Sequence, residues 1–75
     1  MARDLQPTPI GSRIRLARRD AGLTQDQLAE RVGYSRRSVP GWERNETHPR
    51  PGALARIADV TGRPVSWFYE DEVAA

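Results

Sequence analysis

The side chains in this chain with the most to offer chemically are guanidiniums. All twelve basic residues are arginine and none is lysine. A guanidinium differs from an ammonium in donating two parallel hydrogen bonds from one rigid plane, which matches a phosphate or the O6/N7 edge of guanine. Arg-only usage is also what a GC-rich genome produces, so placement matters more than the count. Two arginines, Arg36 and Arg37, are adjacent and follow Ser35 shortly after Gly33. The formal net charge is only +2, but it is unevenly spread: residues 1–50 hold ten Arg against six acids, and residues 51–75 hold two Arg against four. The positive half is the half with the arginine pair. Other chemistry is scarce. There is no cysteine and a single histidine, His48, so a thiolate metal site, a disulfide framework and a histidine-dependent triad all lack their parts. The expectation is no enzyme, no cofactor, no metal and no small-molecule substrate.

The elements that must position the pair lie between Leu23 and Arg44. Leu28, Ala29 and Val32 recur at i, i+1 and i+4, an inward stripe, while Gln25, Asp26, Gln27, Glu30 and Arg31 take the other faces. Thr24 is an N-cap for that helix, and Gln27 three residues on completes a capping box. Gly33 supplies the positive φ that closes a helix before a tight turn. Ser35 then caps a second helix with Arg36 and Arg37 in its first turn and with Val39 and Trp42 facing inward. Two helices joined by so short a turn form a helix-turn-helix, which presents the start of its second helix to base edges. Pro40 and Gly41 interrupt that second helix. A proline in a helix interior removes one donor and clashes four residues back, at about 3 kcal/mol, so a kink or local tightening is expected around Val39 to Gly41.

The remaining segments frame this motif in one domain of 75 residues. Residues 1–9, with Pro7 and Pro9, read as a flexible arm, residues 10–70 as the folded domain, and residues 71–75 as a frayed tail. Ile10, Ile14, Ala17 and Ala21 trace one helical face that Gly22 ends. Asn45 to Gly52 reads as a loop. Ala53 to Thr61 is helical, with Leu54, Ile57, Ala58 and Thr61 inward and Gly62 as its stop. Pro64 opens a short last helix through Trp67 and Phe68. The fold class is all-α, a compact five-helix domain. Trp42 and Trp67 fit core positions better than base-stacking ones. With no long apolar run and no signal-peptide pattern, the expected location is cytoplasmic, with no membrane partner.

The run TQDQLAERVGYSRRSV followed by WERN resembles the lambda-repressor and Cro-like helix-turn-helix family. The likeness extends from about Ile10 to Tyr69, with IGSRIRLARRDAGL similar to that family's first helix and RPVSWFYED to its last. The resemblance implies double-stranded DNA as partner, through the major groove. It implies base reading by Ser35, Arg36 and Arg37. It implies DNA-backbone contacts by Gln25, Arg44, Asn45, Arg18, Arg13 and Arg15, with Arg50 as a weaker candidate. It further implies a structural pair of Arg18 with Glu43, and a homodimer contact built from Trp67, Phe68 and Tyr69. The chain departs from the pattern at Pro40 and Gly41. Gly41 stands where a base-reading side chain often does, which leaves more of the reading to the arginine pair.

The function that follows is a sequence-specific transcriptional regulator, a small phage or bacterial repressor acting by operator occlusion. An antitoxin-type interaction component that also binds DNA is the alternative, though the arm and tail are short for a neutralising segment. The DNA-binding module of a longer regulator is another.

Overall fold

Apolar stripes on successive short helices meet in a single core. In the structure, a computed structural model that describes residues 10–70, these are α1 (Ile10–Asp20), α2 (Gln25–Val32), α3 (Ser38–Glu43), α4 (Pro51–Thr61) and a closing 3-10 helix (Val65–Tyr69). The arm expected at 1–9 and the tail expected at 71–75 lie outside the described residues. Ile10, Ile14 and Ala17 from α1, Leu28, Ala29 and Val32 from α2, and Val39 and Trp42 from α3 pack against Leu54, Ile57 and Ala58 of α4 and Phe68. None of these is more than 4% exposed. The all-α expectation therefore stands, as four α-helices and one 3-10 helix among the described residues. Among the described residues no helix is long and apolar enough to cross a membrane.

The ends of α2 form as their residues dictate. Thr24 Oγ1 accepts the Gln27 N–H at 3.0 Å, and Gln27 Oε1 accepts the Thr24 N–H at 2.9 Å, two otherwise orphaned donors satisfied reciprocally. All four α-helices close alike, with a left-handed residue followed by an N–H that bonds back five positions. The four bonds run from Leu23 to Arg18, Tyr34 to Ala29, Glu46 to Gly41 and Arg63 to Ala58, at 2.9–3.1 Å. Glycine supplies the positive φ at 22, 33 and 62, where it carries no Cβ penalty. The exception is Asn45 at φ 62. Its side chain supplies a second function, because Oδ1 accepts the Gly11 N–H at 2.9 Å and so caps the start of α1.

That cap belongs to a close approach. A Cβ on Gly11 would lie 2.5 Å from the Glu43 carbonyl oxygen and 2.6 Å from that of Trp42. The N-terminus of α1 is thus seated on the last carbonyls of α3, positive end to negative end.

Pro40 acts differently from the sequence expectation. The second motif helix does not start at Arg36 with Ser35 as its cap. It begins at Ser38, so Pro40 falls at its third position, where a backbone N–H has no intrahelical acceptor in any case. The tightening lies earlier, in the turn that Ser38 N–H closes on Ser35 O at 3.0 Å. Arg36 and Arg37 occupy this turn and not the helix. Two smaller corrections concern edges. Ala21 is exposed past the end of α1, and Pro51 and Gly52 form the first turn of α4 instead of the end of a loop, Pro51 being preset for a first helical position.

Two glycine-to-alanine exchanges test this packing. Alanine is the better helix former by about 1 kcal/mol. Gly52→Ala, with nothing within 4 Å of the new Cβ, is expected to raise stability by about 0.5 kcal/mol. Gly11→Ala must instead push α1 off α3, and a loss of about 1–3 kcal/mol is expected. Chemical denaturation measures both, and equal signs would contradict the close approach.

Candidate nucleic-acid interface

The α2–turn–α3 unit is anchored from beneath by one acid. Glu43, in the last turn of α3, has 1% of its side chain exposed and is the buried charged residue of the described chain. A buried carboxylate needs donors for both oxygens. Arg18 Nε meets Oε2 at 2.6 Å and Arg18 Nη2 meets Oε1 at 3.2 Å, a bidentate pair. Gln25 Nε2 donates to Oε1 at 3.0 Å, and Arg15 Nε lies 3.6 Å from the same oxygen. Burial alone would push the Glu43 carboxyl up. The hydrogen bonds from Arg18 and Gln25, with the charges of Arg18 and Arg15, outweigh it and hold the group below the ordinary glutamate value. The third Arg18 nitrogen, Nη1, donates to Leu23 O at 2.9 Å, fixing the α1–α2 corner as well.

Above this anchor the turn is open to solvent. Ser35, Arg36 and Arg37 are all exposed, and the Ser35 and Ser38 hydroxyls lie 3.2 Å apart. Arg36 is 76% exposed and its Nε lies 3.5 Å from Asp26 Oδ2 on α2. An open cleft of about 490 Å³ between α2 and the turn is lined by Asp26, Glu30, Tyr34, Ser35 and Arg36. Tyr34 sets its ring edge-on to Trp42, centroids 5.4 Å apart, so the turn is pinned to the core through α3. Arg56 Nη1 caps the end of α2 at Val32 O, 3.1 Å away. A Cβ at Gly41 would point at Thr47 Oγ1, 3.0 Å away, so that position faces the following loop.

The backbone candidates are divided by the fold. Arg44 is 62% exposed beside Glu46, Arg15 is half exposed, and Arg50 is exposed. Arg18 is 11% exposed with its nitrogens committed to Glu43 and Leu23. The Gln25 amide is turned to Glu43 and the Asn45 carbonyl oxygen to Gly11. Arg13 lies elsewhere: 14% exposed, its guanidinium is 4.6 Å from the Trp67 ring centroid and 3.9 Å from Glu70. Arg63 covers the same ring at 4.1 Å and pairs with Asp20. At the proposed dimer contact, Phe68 is fully buried in the core of its own chain and is not a surface residue. Trp67 is part-buried between two guanidiniums, and Tyr69 is 51% exposed with its ring 6.4 Å from that of His48. No group of three His, Cys, Asp or Glu among the described residues could hold a metal.

The sequence reading missed the contacts of Asp26, Tyr34 and Arg56. Asp26 and Arg36 sit on different elements, and only the Ser35–Ser38 turn brings them together.

A family model described as helix-turn-helix matches residues 14–68. An uncharacterized HTH-type transcriptional regulator of Sinorhizobium medicae strain WSM419 is 34% identical over 70 residues, covering 88% of this chain and 50% of that protein. The immunity repressor protein of Bacillus phage phi105 is 35% identical over 63 residues, covering 84% and 44%. The chain thus spans about half the length of these curated relatives. Among solved structures, the solution structure of the DNA-binding domain of the P22 c2 repressor is similar at a TM-score of 0.78 and 26% identity, covering 85% of this chain and 84% of that one. The biofilm regulator SinR, crystallised with DNA, is similar at 0.76 and 27%, covering 81% and 98%.

Removing one partner of so buried a pair leaves a charge unmet. Arg18→Ala is expected to lower stability by about 3 kcal/mol, a fall in melting temperature of more than about 10 °C. The pH dependence has a definite sign. Because the folded Glu43 value lies below the free value of 4.5, its contribution is complete above that pH and is lost as pH falls through the folded value. Glu43→Gln cannot titrate. The melting-temperature gap between parent and Glu43→Gln should therefore be widest near neutrality and narrow in acid. A gap of constant width would show that the Glu43 carboxyl titrates alike in the folded and unfolded chain, and a gap that widened in acid would show that the buried group is held un-ionised.

Proposed function

The chain belongs to the helix-turn-helix family, and on that premise we propose that it binds double-stranded DNA in the major groove as a transcriptional regulator, a repressor that acts by occluding its operator. The observation that carries this reading is the turn Ser35–Arg37. It places two adjacent guanidiniums in solvent at the mouth of α3, on a support fixed from α1 and α2 through Glu43.

Arg36 and Arg37 read bases. Each has the fork that pairs with guanine O6 and N7, worth about 1–3 kcal/mol of discrimination per good bidentate contact. The half-site therefore contains at least one critical G·C pair. Arg44, Arg15 and Arg50 meet phosphates, which sets register without reading sequence. Phosphate contact is also served by the net positive charge of the first fifty residues. Two copies on a two-fold operator would set their reading helices about 34 Å apart. With Phe68 in the core, Tyr69 and the open part of Trp67 are the residues of that end left for the contact. The relatives' names as regulators and a phage immunity repressor, and the DNA in the SinR crystal, support this reading.

Selection of binding sites from random duplexes, run at two salt concentrations, tests it. The expected result is a consensus with a required G·C pair and affinity that falls steeply with salt. Arg36→Ala with Arg37→Ala should abolish the preference for that consensus over scrambled duplex. Arg44→Ala should weaken binding to all duplexes alike and reduce the salt slope by about one unit. Equal grip of the double variant and the parent on cognate and scrambled duplexes would overturn the reading.

A further inference from the structure

We infer that Asp26 is a positioning residue for base reading: it steadies the Arg36 guanidinium by its Nε edge so that the terminal nitrogens face guanine. The inference rests on the DNA-reading proposal and adds a residue from α2 to the reading face.

Three observations carry it. Asp26 Oδ2 approaches Arg36 at Nε, 3.5 Å away. A guanidinium held from that side keeps its Nη1–Nη2 end available for a second planar partner. The 76% exposure of Arg36 shows that the contact leaves the group open to solvent. Next, Asp26 stands on fixed ground. It is in the first turn of α2, inside the Thr24–Gln27 capping box and next to Gln25, which bonds to Glu43, so its backbone is set relative to the same acid that anchors α3. A group that must orient another needs such support. Finally, Arg36 lies against α2 along the cleft of about 490 Å³ that it shares with Asp26, Glu30, Tyr34 and Ser35. Among the described ion pairs Arg36 has this one, and Arg37 has none.

The two side chains are too exposed, at 76% and 63%, for the pair to support the fold. What the contact does is narrow the rotamers from which Arg36 approaches the groove. A long free side chain would otherwise reach a phosphate as readily as a base. A helix-dipole role for an acid in a first turn would alter stability and leave base preference untouched, so the two roles separate in measurement.

The full chain and a duplex obtained by site selection are used. Each G·C pair of the half-site is replaced in turn by A·T, and the pair whose preference vanishes in Arg36→Ala is the one Arg36 reads. At that pair Asp26→Asn is expected to reduce the preference by about three- to fivefold, the range open to an exposed ion pair, with other positions unchanged and the melting temperature close to the parent's. Asp26→Glu should keep most of the preference. In the Arg36→Ala background Asp26→Asn should change nothing further at that pair. The inference is overturned if Asp26→Asn alters affinity for every duplex by one common factor, or if its effect persists without Arg36. Should Arg36→Ala leave every preference intact while DNA is still bound, this inference fails and the wider reading survives on Arg37. A parent that binds no duplex sinks both.

Discussion

A carboxylate is tolerated inside a small domain only when its oxygens are fully met by donors, and Glu43 meets that condition by drawing on three elements at once. Arg18 comes from α1, Gln25 from α2, and the acid itself from α3. Because the donors sit on separate helices, satisfying one buried charge fixes the relative placement of all three. The open turn between α2 and α3 inherits that placement. The exposed ion pairs at the surface, such as Arg44 with Glu46, are worth little to stability, so the electrostatic contribution to the fold is concentrated beneath the open turn.

A second constraint works on the same C-terminal end of α3. Seating α1 on the last carbonyls of α3 requires a residue without a side chain at 11, and Asn45 completes the joint by closing α3 and capping α1. With that end fixed, Pro40 determines the beginning. It cannot donate to Arg36 O, so the helix starts two residues later than an ordinary sequence would allow, and the arginine pair is left on a turn. The six-residue α3 is thus a helix trimmed from both sides, held by Val39 and Trp42 in the core and edge-on by Tyr34.

Much of this was legible in the residues themselves. The Thr24–Gln27 box, the Gly33 close and the inward stripe of α2 are local chemistry, decided within a few positions, and they form as read. The Arg18–Glu43 pair was legible only through likeness to a family, since 25 positions separate the partners. What escaped reading depended on geometry that no local pattern encodes. The bond from the Gly11 N–H to Asn45 Oδ1 exists only once α1 packs on α3. Phe68 looked available for a partner because the spacing of Trp67, Phe68 and Tyr69 does not say which ring turns inward. Pro40 was weighed against a helix assumed to start at Arg36, and the proline itself moved that start.

The central claim is that the arginines of the turn Ser35–Arg37, braced through Glu43, meet guanine in a major groove. Methylation of guanine N7 places a methyl group on the acceptor those forks would use. Interference mapping on a selected operator is therefore the most direct measurement. The account predicts that methylation of at least one guanine in each half-site blocks binding, and that Arg36→Ala or Arg37→Ala removes the sensitivity at its own guanine. Tight binding that tolerates N7 methylation at every position would contradict it.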